Sequence, residues 1–477
     1  MRRHAHAAPA ETASRLPAGF RLGVSTSAYQ IEGAAREDGR GTSIWDTFVR
    51  RPGTVRDSGT GEVAIDHYHR LEEDLDHVAE LGVSDYRFSI AWPRVVPAGR
   101  GTANGAGLDF YDRVVDGLLA RGVRPVPTLY HWDLPQPLED AGGWMGRDVA
   151  YAFAEYADVV ARRLGDRVRD WITLNEMNVH TLYGYALTDH APGRGLGLGA
   201  LPSAHHQLLA HGLAVQALRS HDAGRVGIAA QHFPVEPASD DPADVEAAYL
   251  FSELTNWMFS DPILRGRYPS DELRGLLPCS DEQLDEDLRV ISAPLDFYGV
   301  NYYEPTRVEA PRAGKDYSGV LEVDVPDGMP FSPVPYGAPE ATDFGWSVVP
   351  GALTAILLEL RDRYPALPPV IVTENGASFH DVVDPDGGVH DEPRVDFLRR
   401  HLGAVADAVE AGVDVTGYYC WSAFDNFEWA AGYGERFGLV HVDYATLERT
   451  RKDSWYWYRD LARAVRGATR DAGKDHA

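Results

Sequence analysis

The sequence has very few cysteines, since only Cys279 and Cys420 occur among its 477 residues. Two distant cysteines cannot form the multiple pairings of a disulfide framework, and they lack the close spacing of zinc ligands. A long hydrophobic segment is also missing, because no apolar run approaches the roughly 20 residues that a transmembrane helix needs. The first twenty residues contain Arg2 and Arg3 but no apolar stretch of the kind a signal peptide requires. We therefore predict a soluble protein of the reducing cytoplasm with no membrane partner.

Basic residues are scarce relative to acidic ones. There are 45 lysines and arginines against 72 aspartates and glutamates, which gives a formal net charge of −27. Such a chain repels the phosphates of nucleic acids and the surface of an anionic membrane. The same balance disfavours a multiply charged anionic substrate, and the simplest role of the charge is solubility.

Motifs for cofactors and metals are missing as well. The sequence contains no glycine-rich loop of the phosphate-binding type. His205, His206 and His211 fall on one predicted helix, but their spacing does not place all three on a common face. We predict a structural role for these histidines, no cofactor and no metal site.

What the sequence does contain is a repeated alternation of short β-branched or aromatic runs with helical stretches. The helical stretches are Leu108–Arg121, Arg147–Leu164, Leu201–His221, Pro350–Tyr364 and Arg394–Glu410. Alternation of this kind predicts parallel strands with right-handed crossovers, and eight strands favour a closed barrel. The fold class is therefore α/β, a single (β/α)₈ TIM barrel with extended βα loops. The predicted strands are Phe20–Ser27, Ser84–Ile90, Arg124–Tyr130, Trp171–Asn175, Val226–Gln231, Phe297–Asn301, Val370–Thr373 and Val415–Trp421.

The barrel is predicted to span residues 18–465, between a disordered lead-in of residues 1–17 and a flexible tail of residues 466–477. Two long connections interrupt the alternation, and long connections inside a domain are usually functional. Residues 232–296 include helical pieces around Asp244–Phe259. Residues 304–345 are rich in proline and glycine and are expected to form loops around the barrel mouth.

Several predicted strands stay apolar until their last positions and then become polar or aromatic. Strands of a parallel barrel are buried on both faces, and the active site of such a barrel lies at their carboxyl ends. Ordinary turn residues explain one such position but not six together. The positions are Tyr29-Gln30, His131-Trp132, Asn175-Glu176, Asn301-Tyr302-Tyr303, Glu374-Asn375 and Trp421.

Two of these positions, Glu176 and Glu374, provide the minimum chemistry for cleaving a glycosidic bond. One carboxyl group must give a proton to the leaving oxygen while the other meets the oxocarbenium-like carbon. The two residues end the fourth and seventh strands, which closure of a barrel brings together.

The ordered motifs around these glutamates resemble glycoside hydrolase family 1, the β-glucosidases and their relatives. The resemblance extends from about Phe20 to about Ala462. Its motifs are the entry segment from Phe20 to Gly33, Tyr86-Arg-Phe-Ser-Ile-Ala-Trp-Pro93, Tyr130-His-Trp-Asp-Leu-Pro135, Thr173-Leu-Asn-Glu-Met177, Gly299-Val-Asn-Tyr-Tyr303, Ile371-Val-Thr-Glu-Asn-Gly376, Trp421-Ser-Ala-Phe-Asp-Asn-Phe-Glu-Trp429 and Arg436-Phe-Gly438.

The resemblance implies a role for each matching residue. Glu176 becomes the general acid/base and Glu374 the nucleophile, with Arg87 and Tyr303 in contact with the nucleophile. Residues implied to bind the sugar are Gln30, His131, Trp132, Asn175, Trp421, Glu428, Trp429 and Phe437, and Trp346 is implied on the aglycone side.

The implied reaction is retaining hydrolysis of terminal β-D-glucosyl, and also galactosyl or fucosyl, residues by two displacements through a covalent glycosyl-enzyme. Glu176 is expected to begin protonated because the negative charge of Glu374 raises its pKa. The implied partners are small β-glycosides or short oligosaccharides, and homo-oligomerisation is left open.

One position departs from the family, because Met177 stands where proline is usual after the acid/base. Two variants of the family are disfavoured. Plant thioglucosidases carry glutamine where this chain has Glu176, and 6-phospho-glycosidases lack the carboxylate of Glu428, which here repels a phosphate.

Three alternative functions can be separated by simple observations. A metal-dependent hydrolase needs several His and carboxylate ligands at strand ends and loses activity in EDTA. A sugar-binding protein without catalysis is expected to have lost one of the two glutamates. A transglycosylase uses the same two glutamates and differs in how its products divide between water and an added alcohol.

Overall fold

The computed structural model describes residues 9–317 and 329–472, with side chains up to residue 467. Its centre is a barrel of eight strands that begin and end within two residues of the predicted positions. In chain order, the barrel strands are Arg21–Ser25, Asp85–Ser89, Arg124–Tyr130, Asp170–Asn175, Arg225–Gln231, Tyr298–Asn301, Val370–Asn375 and Val415–Trp421.

The barrel is closed and every strand in it is parallel to its neighbours. Strand order follows chain order, and the first strand pairs with the eighth, where Arg21 lies opposite Gly417 and Ser25 opposite Trp421. All eight carboxyl ends therefore meet at one rim of the barrel, which confirms the predicted (β/α)₈ architecture.

Helices connect the strands and cover the outside of the barrel. The long helices agree with the predicted stretches to within three residues. The α-helices outside the long insertion are Pro9–Ser14, Ala28–Ile31, Ile44–Phe48, Leu71–Leu81, Trp92–Val95, Gly105–Ala120, Gln136–Asp140, Asp148–Leu164, Met177–Val179, Leu201–Ser220, Pro350–Arg363, Glu392–Glu410 and Asp453–Ala472.

Apolar periodicity explains why the outer helices dock on the barrel. In helix Asp148–Leu164, Phe153, Tyr156, Val160 and Leu164 are buried at spacings of three and four residues, which is one helical face. The barrel interior is filled separately by side chains that point inward, so it is a packed core below the mouth. This inner cluster consists of Val126, Ile172, Ala229, Phe297, Ile371 and Tyr419.

The segments predicted as a lead-in and a tail each contain helix among their described residues. Helix Pro9–Ser14 packs on the C-terminal helix, and Arg15 forms ion pairs with Asp407 at 2.6 Å and Glu410 at 3.0 Å. The C-terminal helix runs from Asp453 to Ala472, beyond the predicted boundary at residue 465. Residues 1–8 and 473–477 lie outside the described residues.

The connection of residues 232–296 forms a helical insertion beside the barrel mouth. Its helices are Pro242–Ser252, a π-helical turn Glu253–Trp257, Met258–Arg265, Asp271–Gly275 and Asp281–Ile291. The predicted helix around Asp244–Phe259 is thus present but is interrupted by the wider turn.

The segment of residues 304–345, predicted to form loops around the barrel mouth, lines the cavity there but also contains two short strands. Thr306–Glu309 pairs with Val235–Pro237 on one side and with Ser332–Val334 on the other, which makes a small three-stranded sheet. Strands of three or four residues are too short to show a period-2 signal, which is why the sequence did not reveal them. Residues 318–328 of this segment are outside the described residues.

A second small sheet lies near the C-terminus, where Val440–Val442 pairs antiparallel with Arg449–Arg451. Within the described residues, the length and apolarity needed to cross a membrane are not combined in any helix.

Candidate active site

A cavity of about 830 Å³ opens at the carboxyl ends of the barrel strands. Most of the predicted site residues meet in its wall, although they come from distant parts of the chain. Those lining it are His131, Trp132, Glu176, Tyr303, Trp346, Glu374, Trp421, Glu428, Trp429 and Phe437.

Gln30, Arg87 and Asn175 lie directly behind this wall. Gln30 is fully buried, and its amide nitrogen donates to Glu428 Oε2 at 3.2 Å and to Asn426 Oδ1 at 2.9 Å. The structure therefore places Gln30 one contact away from the cavity surface.

The backbone is irregular at the two strand ends that carry the glutamates. The pairing of the fourth strand shifts register between Ile172 and Asn175, and that of the seventh strand shifts between Val372 and Glu374. Irregularities of this kind change the direction in which a side chain points and are common beside active sites.

Glu176 itself adopts a left-handed backbone conformation with φ +47° and ψ +59°. Its N–H donates to Ala229 O at 2.8 Å and its carbonyl accepts from His180 N at 3.0 Å, so the strained turn is held from both sides. Trp132 and Trp429, with φ of +72° and +49°, are strained in the same way. Such outliers cost about 1–3 kcal/mol each and concentrate at functional sites.

Met177, which departs from the family proline, is buried at the first position of helix Met177–Val179. Proline is common at the first position of a helix, but this helix begins at Met177 without it.

Glu374 is held as a carboxylate by direct donors to both oxygens. The guanidinium of Arg87 donates to Oε1, and the Tyr303 hydroxyl donates to Oε2 at 2.7 Å. Arg87 is 1% exposed and also donates to Asn175 Oδ1 at 2.6 Å and Thr128 Oγ1 at 3.1 Å, which fixes its position. A buried cation and a hydroxyl donor favour the charged form of a carboxyl group.

Glu176 has very different surroundings. It is 4% exposed, and its Oε1 accepts a hydrogen bond from Asn301 Nδ2 at 2.8 Å. Burial raises the pKa of Glu176 to about 8, and the negative charge of Glu374 adds to the increase. The order of causes differs from the prediction, which named only the charge of Glu374; desolvation in the barrel mouth is the larger cause.

Asn175, behind the cavity wall, is hydrogen-bonded to His131, which lies in the wall. Asn175 Nδ2 donates to His131 Nε2 at 3.1 Å, while His131 Nδ1 is buried without a hydrogen-bond partner among the described residues. Burial lowers the pKa of His131 well below its ordinary value, so the ring is neutral. A neutral imidazole with one ring nitrogen that has no hydrogen-bond partner among the described residues is suited to bind a hydroxyl group.

Aromatic rings form a plate at the inner end of the cavity. The ring of His131 stacks against Trp421 at 5.8 Å and against Trp429 at 5.9 Å, and Trp132 lies 4.9 Å from Trp429. These rings are nearly buried, with an edge or face at the cavity. An apolar plate beside carboxylate and amide groups matches the apolar faces and hydroxyl rim of a pyranose.

A second aromatic group lies nearer the opening. Trp346 packs 5.2 Å from Tyr303 and 5.7 Å from Phe437, and it stacks on Phe344 at 4.5 Å. Trp346 is half-buried and Phe344 also lines the cavity. The cavity thus combines carboxyl groups and an aromatic plate at its inner end with a second aromatic group nearer the opening.

Sequence reasoning missed several residues of this site. Asn301 was recognised as a polar strand end but was given no role, although it donates to Glu176 and Asn175. Gln231 ends the fifth strand and lines the cavity, so the strand-end pattern could have identified it. Glu304 also lines the cavity, and burial raises its pKa to about 7, but no sequence signal distinguishes it from a loop glutamate.

The three histidines on helix Leu201–Ser220 have partners inside the protein. His205 contacts Tyr268 at 2.7 Å and Asp287 at 2.9 Å, and His211 contacts Thr173 at 2.7 Å. His206 contacts the carbonyl of Trp144 at 2.8 Å. These contacts agree with a structural role.

The sequence of this chain is similar to that of a known protein family. Residues 12–466 match the family described as glycosyl hydrolase family 1. Beta-glucosidase A of Thermotoga maritima is 42% identical over 451 residues, which cover 94% of this chain and 98% of that protein. A bifunctional beta-D-glucosidase/beta-D-fucosidase of Bifidobacterium breve is 44% identical over 454 residues, covering 93% of this chain and 97% of that protein.

A solved structure has the same fold. The family 1 β-glucosidase of Thermotoga maritima in complex with isofagomine lactam superimposes with a TM-score of 0.87 at 43% identity, covering 94% of this chain and 99% of that one.

Proposed function

The chain belongs to glycosyl hydrolase family 1, and on this premise we propose that it is a retaining β-glucosidase that releases terminal β-D-glucosyl residues from small β-glycosides or short oligosaccharides. The observation that carries the proposal is the unequal environment of two neighbouring carboxyl groups in one cavity. Glu374 has Arg87 and Tyr303 as donors, whereas Glu176 is buried with a raised pKa.

In the first step, Glu374 is the nucleophile and Glu176 the acid. A carboxylate oxygen of Glu374 bonds to the anomeric carbon while the bond from that carbon to the aglycone oxygen breaks. The proton of Glu176 passes to that oxygen, and the aglycone leaves as an alcohol. The pKa of about 8 keeps Glu176 protonated at neutral pH, as this step requires.

In the second step, Glu176 acts as the base. Once Glu374 is esterified its negative charge is gone, so one of the two causes of the raised pKa of Glu176 disappears. Glu176 then takes a proton from water, and the water oxygen displaces Glu374 from the anomeric carbon. The sugar leaves with its original configuration, and both glutamates return to their starting states.

The sugar is proposed to lie on the Trp421 side, with its hydroxyls toward His131 and Glu428. Charge-assisted hydrogen bonds to Glu428 are the stronger of these. Gln30 sets the position of Glu428 from behind. The name of the Bifidobacterium breve relative supports including β-D-fucosides among the substrates to test.

The proposed location is the cytoplasm, where a reducing environment suits Cys279 and Cys420, which are both free.

The test is hydrolysis of 4-nitrophenyl β-D-glucoside, galactoside and fucoside, followed by proton NMR of the first sugar released. We expect turnover and the β-anomer as the initial product. The α-anomer would exclude a retaining mechanism, and no turnover of any of the three would exclude the function. Adding methanol measures the share of transfer to alcohol, and a dominant methyl glucoside product would favour a transglycosylase.

A further inference from the structure

Glu304 lines the active-site cavity but takes no part in the chemistry described above. It directly follows Tyr303, whose hydroxyl donates to the carboxylate of Glu374. Burial raises the pKa of Glu304 to about 7, and within the described residues no cation offsets this increase. A stabilising ion pair therefore does not explain why a carboxyl group occupies this position.

The interaction that favours the charged form of Glu304 comes from the backbone of Ser347. The N–H of Ser347 donates to Glu304 Oε2 at 2.9 Å. Ser347 directly follows Trp346, the half-buried ring nearer the opening of the cavity. Glu304 thus holds the chain at the residue next to this tryptophan.

Trp346 belongs to a tight hairpin whose geometry makes the N–H of Ser347 available. Ala341 and Ser347 face each other across the hairpin as an antiparallel pair. The two hydrogen bonds that close this pair come from the residues on either side of it, at 2.8 Å and 3.0 Å. In a pair of this type, the N–H groups of the two facing residues point away from the hairpin. The outward N–H of Ser347 is the one that the carboxylate accepts.

Two further contacts join the same two segments of the chain. The ring of Trp346 packs 5.2 Å from that of Tyr303, and the hydroxyl of Tyr302 donates to Val349 O at 2.7 Å. The hydrogen bond of Glu304 joins residues next to both contacts. The three contacts together fix the hairpin, and with it Trp346, relative to the residue that donates to the proposed nucleophile.

We propose that Glu304 is a positioning residue for the leaving group, which holds the N–H of Ser347 and thereby fixes the face of Trp346 against which the aglycone packs. The proposal rests on the function proposed above and adds a residue that determines which β-glucosides react fastest. A correctly placed Trp346 assists the first step, in which the aglycone leaves. The second step follows after the aglycone has gone, so it does not depend on Glu304.

The first experiment compares Glu304→Ala with the wild type on two substrates. The aglycone of 4-nitrophenyl β-D-glucoside extends from the sugar toward the opening, whereas that of methyl β-D-glucoside is a single carbon. We expect kcat/KM to fall about tenfold for the nitrophenyl substrate and to stay within about twofold for the methyl substrate. An equal loss on both would assign Glu304 to the support of Glu374 or of the fold, and no loss on either would show that the hydrogen bond is unimportant. Both results would overturn the proposal.

A separate measurement uses 2,4-dinitrophenyl β-D-glucoside, whose leaving group departs so readily that the second step limits kcat. Because that step takes place without the aglycone, kcat of Glu304→Ala should equal that of the wild type while kcat/KM falls. A purely structural defect would lower both constants. A lower kcat would therefore contradict a role confined to the leaving group.

Glu304→Gln separates the hydrogen bond from the charge. Its amide oxygen can still accept from Ser347 N, so we expect kcat/KM for 4-nitrophenyl β-D-glucoside to return to within about threefold of the wild type. Glutamine as impaired as alanine would show that the charge is responsible and would overturn the proposal.

The matched control is Glu236→Ala, which removes an exposed carboxylate from the neighbouring small sheet. Glu236 pairs with Arg307 at 3.3 Å and has no contact with the hairpin N–H that Glu304 binds. The ratio of kcat/KM for the nitrophenyl and methyl substrates should not change in this variant. A change as large as in Glu304→Ala would assign the effect to general charge near the cavity and would contradict the proposal.

If Glu304→Ala does not fold, Ser347→Pro removes the same hydrogen bond from the donor side, because proline has no N–H. We expect the same selective loss for 4-nitrophenyl β-D-glucoside, and unchanged kinetics would overturn the proposal. If the wild type hydrolyses neither glucoside, the proposed function itself fails. If the wild type hydrolyses both and the variants behave like it, only the role of Glu304 fails.

Discussion

The two ends of the barrel are both rich in charge, but they arrange it in opposite ways. At the amino end, the first residues of the first five strands alternate in sign around the rim. In order they are Arg21, Asp85, Arg124, Asp170 and Arg225. At the carboxyl end, Glu176, Glu374 and Glu428 line one cavity, and Arg87 behind it is the cation bound to Glu374.

The amino-end ring matches each charge with a neighbour of opposite sign. Arg21 lies between Asp85 and Asp170, with donor–acceptor distances of 3.2 Å to Asp85 Oδ2 and 3.3 Å to Asp170 Oδ1. Arg225 adds a contact to Asp170 at 3.3 Å. Both aspartates are almost fully buried, so their charges are acceptable only because the arginines surround them.

At the barrel mouth, the two carboxyl groups of Glu374 and Glu176 have different neighbours. Glu374 accepts a hydrogen bond from the cation Arg87, whereas Glu176 accepts one from the neutral Asn301 and has a pKa raised to about 8, so Glu176 keeps its proton at neutral pH. Matched ion pairs at the amino end support the fold, whereas the unequal surroundings of the two glutamates at the mouth suit the acid and the nucleophile of the proposed mechanism. The difference between stability and chemistry lies in the partners of a residue and not in its type.

Removing the proposed nucleophile should have the largest effect. Glu374→Gly is expected to lower hydrolysis of 4-nitrophenyl β-D-glucoside by at least about 10⁴-fold, because the covalent step is lost. Azide should restore turnover by entering the vacated space, with the α-glucosyl azide as product identified by NMR.

The control for this loss is Glu374→Gln, which fills the same space. It should be inactive and should not respond to azide. Near-wild-type hydrolysis by Glu374→Gly would show that Glu374 is not the nucleophile.

At the amino end, the corresponding change should affect stability and leave the chemistry alone. Asp85→Asn removes one partner of the buried ring and is expected to lower the free energy of unfolding by about 3–5 kcal/mol. Denaturant unfolding measures this loss, and kcat of the folded enzyme should not change.

Asp76→Asn is a matched control, since Asp76 forms an exposed ion pair with Arg121 and should cost less than about 1 kcal/mol. A large fall in kcat for Asp85→Asn would show that the two ends of the barrel are coupled and would break the comparison.

Sequence patterns predicted the mouth better than the amino-end ring. Polar residues at the ends of apolar strands identified Glu176 and Glu374, because a buried strand gives a polar terminus strong contrast. Asp170 follows a charged stretch and Asp85 follows a short polar turn, so the burial of the two aspartates was not visible in the sequence. Which residues pair around a ring depends on barrel register, and register is a three-dimensional property.

The main cause of the raised pKa of Glu176 also could not be predicted from the sequence. The sequence predicted a raised pKa from the charge of Glu374, but burial proved to be the larger cause. Desolvation depends on the surrounding packing, which includes Asn301 on another strand. The helix Pro9–Ser14 was missed for a related reason, since its six residues are too short to show a period and are stabilised by distant contacts.

The alkaline limb of the pH profile should report Glu176. Activity requires its protonated form, so kcat/KM should fall above about pH 8, by about tenfold per pH unit. Glu374→Gln should lower the pKa of Glu176 by removing a negative charge but leave it above the ordinary value, because burial persists. Carbon-13 NMR of the glutamate carboxyl groups in wild type and variant measures both values. A pKa unchanged in Glu374→Gln would mean that the two carboxyl groups do not interact.

The smallest effect concerns the free energy of unfolding, which the buried carboxyl group of Glu176 lowers at alkaline pH. The pKa of Glu176 is about 8 in the folded protein, against 4.5 ordinarily, so the unfolded chain loses this proton at lower pH than the folded protein does. Stability from Glu176 is therefore present below about pH 4.5 and is lost as the pH rises toward 8. Glu176→Gln removes the ionisable group and should increase the free energy of unfolding at pH 9 by at least about 1–2 kcal/mol, with little effect at pH 4.5. Urea unfolding at the two pH values measures the difference, and Glu72→Gln, on an exposed helix face, should show no pH-dependent gain. An equal increase in the free energy of unfolding at both pH values would indicate better packing and not the loss of a charge. An increase confined to alkaline pH would show that the barrel mouth contains an acidic group that destabilises the fold, for which the amino end has no equivalent.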